Sequence, residues 1–304
     1  IIDLSKKLGL NDKTGIEINI PAETSGGVPN PQKEILTTKA LLKSYLQRNI
    51  RSYIKEGVSL TDDKIEEIIE EITSWTELEE TLTRGEVVRR LSSFGIDPER
   101  KLAGEREGLA DKIKYTYLEY AGWKITDTLN VTIGQGRNAY TPIQMANYIA
   151  TIANGGYRHK VTLIDNIKNH NNSKLVFDNQ PQYERIELND YNNLEHIKLG
   201  MLKVTTEGTA RSVFSRFPIK VGAKTGTAQH TVRNPVTGEV YDDFAWFVAF
   251  APYDDPEIAI ATVIFQGGSG GYAGPMVRDI IAEYFGLNKE SAKESLPFVN
   301  TLVK

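Results

Sequence analysis

Val221-Gly222-Ala223-Lys224-Thr225-Gly226-Thr227-Ala228-Gln229 is a run of small and β-branched residues around one cation. This composition fits an extended strand. In a strand, Thr225 and Thr227 lie two residues apart and turn their hydroxyls to one face. Gly226 between them has no side chain, so a second backbone can lie close against this edge. Lys224 supplies a positive charge for an anionic group. Residues 224–229 therefore read as a substrate-binding edge, which takes a peptide-like ligand by strand addition with a carboxylate at its end.

Downstream, Phe244–Phe250 and Ile258–Phe265 are two further apolar strands, joined through a turn at Asp254-Asp255-Pro256. Hairpin-linked strands make an antiparallel sheet. Gly274-Pro275 then opens a helix whose apolar side is read as Met276, Ile280, Ile281, Tyr284 and Phe285. Upstream, Thr141-Pro142-Ile143-Gln144 combines an N-cap, a proline at the first helical position and the glutamine of a capping box. The helix it starts is expected to bury Ile143, Ala146, Ile149, Ala150 and Ala153 and to stop at Asn154-Gly155-Gly156. Strand-like pieces at 161–167, 174–178 and 184–188 precede a helix over about 190–206. The sheet strand itself is read over 219–229. Sheet and helices together give an α+β fold, an antiparallel sheet flanked by helices.

Nearer the start, Thr14–Ile20 alternates apolar and polar residues and ends at Pro21, as a short strand would, before a loop at Glu23–Gly27. Residues 31–118 differ in character, being charged and helical in period. Helices are expected over 33–55, over 62–72 with Thr61 as N-cap, from the Thr83–Glu86 capping box to a stop at Gly95, and over 108–120. Glu66, Glu67, Glu70 and Glu71 in the second of these read as a solvated face. Val131–Gly136 reads as a short strand or turn. The chain divides on these grounds into 1–30, a helical insertion at 31–118, a second sheet-bearing part at 119–288 and a tail at 289–304.

The chain has 304 residues, a net charge of −4 and no cysteine. The charge argues against a nucleic-acid partner. The absence of cysteine excludes disulfides, thiol catalysis and cysteine-ligated metal. No apolar run reaches the length of a membrane span. The opening residues lack the pattern of a signal peptide, and the chain is expected to be the interior of a longer protein.

Six blocks, taken in order, resemble the transpeptidase domain of class B penicillin-binding proteins. They are Gly15–Gly26, Ile133-Gly134-Gln135-Gly136, Thr141–Ala146 with Ile152–Gly156, Thr206–Ala210, Lys224–Gln229, and Ala245–Pro252 with Gly274-Pro275. The resemblance covers about 1–30 and 119–288. It implies a penicillin-binding, serine transpeptidase-like fold, incomplete at its N-terminus and carrying a helical insertion. It also implies acyl transfer in peptidoglycan cross-linking through a serine acyl-enzyme, with β-lactams acylating the same serine. Lys224 would then help hold the substrate carboxylate and tune the local potential. The hydroxyls of Thr225 and Thr227 would bind that carboxylate, and the Thr227 N–H would be one oxyanion-hole donor. No cofactor is implied. Stem peptides and β-lactams are the implied ligands, the wall-synthesis machinery is a candidate partner through 31–118, and the implied location is the outer face of a bacterial membrane, anchored by an N-terminal segment. A β-lactamase, a β-lactam-sensor domain and a non-catalytic module of the same fold are alternatives.

The family's Ser-x-x-Lys and Ser-x-Asn motifs are expected before residue 1. Ser-x-Asn does not occur in the sequence, and the one Ser-x-x-Lys, Ser52-Tyr53-Ile54-Lys55, comes after the Glu23 segment and so out of order. No nucleophile is assigned within the 304 residues, and the chain alone is expected not to react with penicillin. His230, Asp242 and Asp243 would converge if the strands at 219–230 and 242–252 pair. A metal site and a surface histidine facing a carboxylate are both open on these residues. Gly267–Gly271 lacks the ending of a phosphate loop and reads as a flexible loop rimming the cleft, and Trp246 reads as core.

Overall fold

A computed structural model describes residues 1–17, 23–229, 233–234 and 237–287. It separates into two compact units, one of residues 1–28 with 138–304 and one of Pro29–Arg137.

The chain begins with helix α1 (Ile2–Lys7), which leads to a loop. Thr14–Glu17 run as coil and not as the strand read from their alternation; Ile18–Ala22 lie outside the described residues. The loop is organised by its carboxylates. Glu23 accepts from both the amide and the hydroxyl of Thr14, at 2.9 and 2.8 Å. Glu17 accepts from the amides of Leu163 and Ile164 and from the Thr162 hydroxyl. A strand ladder would compete with these local bonds for the same backbone.

The Pro29–Arg137 unit is helical. Helix α2 (Pro31–Asn49) starts at Asn30, whose side chain accepts from the Lys33 amide at 2.9 Å. It ends earlier than expected and passes into a 3-10 turn, Ile50–Tyr53. Helix α3 (Asp62–Ser74) is capped by Thr61, and α4 (Arg84–Ser93) carries the Thr83–Glu86 capping box. Helices α5 (Leu109–Asp111) and α6 (Glu119–Ala121) are the ends of one continuous helical stretch whose middle, Lys112–Leu118, is wound as a π-helix. Helix α7 (Ile125–Thr132) occupies part of the stretch read as strand or turn, and the turn follows at Gly134–Gly136. The unit is wider than the 31–118 block. Arg137 pairs with Glu34 on α2, donates to the Tyr120 carbonyl at 3.0 Å and lies over the Tyr120 ring, which ties 119–137 to the helices. Leu42, Leu46, Ile69, Ile72, Trp75 and Leu91 form one core. The acidic face of α3 is solvated as expected, with Glu66 and Glu70 paired to Lys43 and Glu67 to Lys64.

The other unit resumes with α8 (Pro142–Ala153), which has the full Thr141–Gln144 capping box. Its buried residues include Ile149 and Ala153, while Ile143, Ala146 and Ala150 are half-buried. Gln144 is itself buried and donates to the carbonyls of Asp12 and Ser25, at 2.7 and 2.9 Å. Gly26 sits beside it at φ 66°, where a Cβ would come within 2.5 Å of Gln144 Oε1, so only glycine fits.

Four short strands come next: β1 (Tyr157–His159), which was not expected, β2 (Asn166–Lys168) and β4 (Tyr183–Arg185), which overlap the expected 161–167 and 184–188 only in part, and β3 (Leu175–Asp178), which fills the expected 174–178. They pair as two antiparallel ribbons, β1 with β4 and β2 with β3. Helix α9 (Asn192–Thr206) leads through a turn to the short α10 (Arg211–Phe214). Strands β5 (Gly222–Ala228), β6 (Phe244–Ala251) and β7 (Ile258–Ile264) then form an antiparallel sheet in that order, and α11 (Gly274–Tyr284) closes the described chain.

Alternation along β6 packs both faces of this sheet. Phe247, Ala249 and Ala251 join Val277 and Ile281 of α11 in one core. Val248 and Phe250 join Ile149 of α8 and Met201 of α9 in another. The expected apolar side of α11 needs correction. Ile281 and Phe285 pack against the core as expected, joined by Val277, whereas Met276, Ile280 and Tyr284 are exposed at 43, 40 and 54%.

Candidate functional site

Strand β5 lies at one edge of its sheet, so the motif residues are arranged along an edge strand. Lys224 stands opposite Val248, Thr225 opposite Phe247, Gly226 opposite Trp246 and Thr227 opposite Ala245. The strand period therefore divides the motif between two faces. Thr225 and Thr227 share the face of Phe247. Lys224 is on the other, where its ammonium donates to the Thr225 carbonyl. The structure thus brings the two hydroxyls together and sets the lysine across the strand from them.

On the lysine's face, α8, α9 and the sheet enclose a cleft of about 390 Å³, lined by Met145, Tyr148, Met201, Val204 and Val248 among others. Lys224 is the one charged residue lining it among the described residues.

Each hydroxyl on the opposite face has a neighbour that local sequence did not reveal. Thr209 Oγ1 lies 3.1 Å from Thr225 Oγ1. The Gly270 amide donates to Thr227 Oγ1 at 3.2 Å. Gly267–Gly271 is thus no open rim. Gly270 is buried flat against the strand, and a Cβ there would fall 2.3 Å from the Gly226 carbonyl oxygen. Trp246, expected in the core, is half-buried opposite Gly226. A long-range contact of this kind leaves one signal in sequence, the clustering of glycines at 267–271.

The remaining candidates do not join this site. Ser52 lies in the helical unit, exposed, in a 3-10 turn that ends at Tyr53; Ile54 is already extended, so no helical turn carries Ser52 and Lys55 on one face. His230 lies outside the described residues. Asp242 and Asp243 precede β6, and among the described residues no group of three or more histidines and carboxylates could hold a metal ion. Ala228 ends β5 and Gln229 follows it.

The profile of the family described as "Penicillin binding protein transpeptidase domain" matches residues 77–282. The chain belongs to this family. It is 33% identical over 193 residues to penicillin-binding protein 2A of Bacillus subtilis, covering 58% of this chain and 27% of that protein. It is 32% identical over 197 residues to the peptidoglycan D,D-transpeptidase MrdA of Escherichia coli (strain K12), covering 62% of this chain and 30% of that protein. The chain thus spans under a third of the length of either relative. A solved complex between a penicillin-binding protein (PBP2) and MreC from Helicobacter pylori shares the fold. Its TM-score is 0.52 at 20% identity, over 93% of this chain and 35% of that one.

Proposed function

We propose that these residues are the substrate-holding part of a peptidoglycan D,D-transpeptidase. The observation that carries this reading is the edge position of β5, with the Thr225 and Thr227 hydroxyls on one face and each contacted from outside the strand. The names of the relatives and membership of the transpeptidase family support it.

In this reading a donor stem peptide lies along β5 with its terminal carboxylate at the two hydroxyls. A serine oxygen attacks the carbonyl carbon of the penultimate D-Ala, the serine proton passes to a base, and the terminal D-Ala leaves as a protonated amine. The Thr227 N–H and the nucleophile's own N–H stabilise the oxyanion. An amine of a neighbouring stem then attacks the ester, forms the cross-link amide and restores the serine. A β-lactam follows the first half by opening its ring amide.

The attacking serine is assigned to polypeptide outside these 304 residues, because the one Ser-x-x-Lys here sits in the helical unit. The apolar cleft beside Lys224 would receive the segment that bears it, and Lys224 would set the potential there. Such a protein works on the outer face of the bacterial membrane, to which an N-terminal segment would anchor it. The helical unit would dock wall-synthesis machinery, a role that normal growth after its deletion would remove.

The test is acylation of the full-length protein by a fluorescent penicillin, with the modified peptide mapped by mass spectrometry. The label is expected on a serine of a Ser-x-x-Lys sequence outside the 304 residues. A label elsewhere, or none, contradicts the reading.

A further inference from the structure

Thr209 sits in the turn between α9 and α10, and backbone bonds on both sides fix this turn. The Gly208 amide donates to the Lys203 carbonyl at 2.8 Å, and the Ala210 amide to that of Val204 at 3.0 Å. Gly208 cannot be replaced cheaply, since a Cβ there would lie 2.9 Å from Val204 Cα. Ala210 is buried in the core shared by β5, β6 and α11. The end of α9 is also tied to the strand itself, because the buried Thr205 hydroxyl donates to the Val221 carbonyl at 2.7 Å. These bonds anchor the backbone on both sides of Thr209 and place its hydroxyl 3.1 Å from that of Thr225.

A threonine hydroxyl has one hydrogen to give and lone pairs to receive. A carboxylate only accepts. If Thr225 spent its hydrogen on Thr209, it would turn a lone pair towards an incoming carboxylate, and the two would repel. If Thr209 donates, the Thr225 hydrogen can point to the ligand, and the bond to a charged acceptor is the stronger one. On Thr227 the direction of the corresponding protein contact is fixed already, because the Gly270 backbone amide can only donate.

We propose that Thr209 is a positioning residue for carboxylate recognition: it donates its hydroxyl hydrogen to Thr225 Oγ1 and thereby commits the Thr225 hydroxyl to donate to the ligand's carboxylate. This rests on the reading of β5 given above.

The test uses the full-length protein and two probes, a fluorescent penicillin and its methyl ester, whose carboxylate is neutralised. Thr209→Val keeps the shape of the side chain and removes the hydroxyl. It is expected to slow acylation by the free acid about tenfold, mainly through weaker apparent binding, while Thr209→Ser stays within about twofold of wild type. Acylation by the ester should be equal in wild type and Thr209→Val, and the thermal midpoint should not move. Equal slowing with acid and ester, or a lowered midpoint, would assign Thr209 a structural role and overturn the proposal. If Thr209→Val and Thr209→Ala both react as wild type while Thr225→Val is slowed, the proposal fails and the reading of the strand stands. If Thr225→Val also reacts normally, or wild type does not react at all, both fail.

Discussion

In the helical unit, Leu42, Leu46, Ile69, Ile72, Trp75 and Leu91 meet around a single centre and are almost wholly removed from water. In the sheet-bearing unit the apolar residues divide between the two faces of β6, and further apolar surface stays outside both cores. Met276, Ile280 and Tyr284 repeat every four residues along the open side of α11. The β2–β3 ribbon exposes Ile167, Leu175, Val176 and Phe177. The helical unit also exposes apolar residues, with Ile125, Leu129 and Ile133 at 74, 60 and 72%, so the contrast lies in how the buried residues are grouped, around one centre or on two faces of a sheet. The sheet-bearing unit contains the strand proposed to hold the substrate and a cleft whose one charged lining residue, among the described residues, is Lys224.

The strongest way to break this contrast is through the closed core. Leu46→Ala is expected to destabilise the helical unit by about 2–5 kcal/mol in urea denaturation followed by circular dichroism. Amide exchange at Phe247–Ala249 on β6 should stay as in wild type. Faster exchange there would show that the two cores do not stand separately.

A smaller effect is expected at the contact behind the site. Gly270→Ala forces a methyl group onto the Gly226 carbonyl, with a cost of about 1–3 kcal/mol as the loop is pushed off the strand. Thermal melting should show the loss, and penicillin acylation of the full-length protein should slow with it. A variant that melts and reacts like wild type would mean that the loop does not brace Thr227.

The smallest effect concerns the loop ahead of the site. The Thr162 hydroxyl, with the amides of Leu163 and Ile164, holds the Glu17 carboxyl down from its ordinary 4.5 to about 2. A depressed carboxyl contributes its stabilisation above the ordinary value and loses it as pH falls towards the lowered one. Exchange protection of the Leu163 and Ile164 amides should therefore persist at pH 4.5 and fade towards pH 2. Glu17→Gln should flatten that profile, and an unchanged profile would remove the assignment.

The parts that could be read ahead of the structure are those set by neighbours in sequence. Thr83 with Glu86, Thr141 with Gln144, and Thr61 each announce a helix start within four residues, and all three cap as read. The hairpin of β6 and β7 was legible from two apolar runs around Asp254-Asp255-Pro256. The same strand period that grouped Thr225 with Thr227 also puts Lys224 on the opposite face, a consequence the motif hides because its residues are adjacent. On α11 Ile281 was read correctly, but periodicity could not choose between Val277 and the set Met276, Ile280 and Tyr284, and only the sheet selects between them. Thr14–Glu17 alternate like a strand, yet carboxylate-to-amide bonds win locally. The contacts of Thr209 and Gly270 with β5 were not legible beyond the Thr206–Ala210 block and the glycine cluster at 267–271, because these residues reach the strand only after α9 and the 267–271 loop have packed.

The central claim is that these residues hold the substrate while the attacking serine lies elsewhere. Incubating the 304-residue chain, beside the full-length protein, with a fluorescent penicillin tests it most directly. The full-length protein is expected to carry a covalent label that survives denaturation, and the 304-residue chain none. A stable label on the 304-residue chain, at Ser52 or any other serine, would contradict the account.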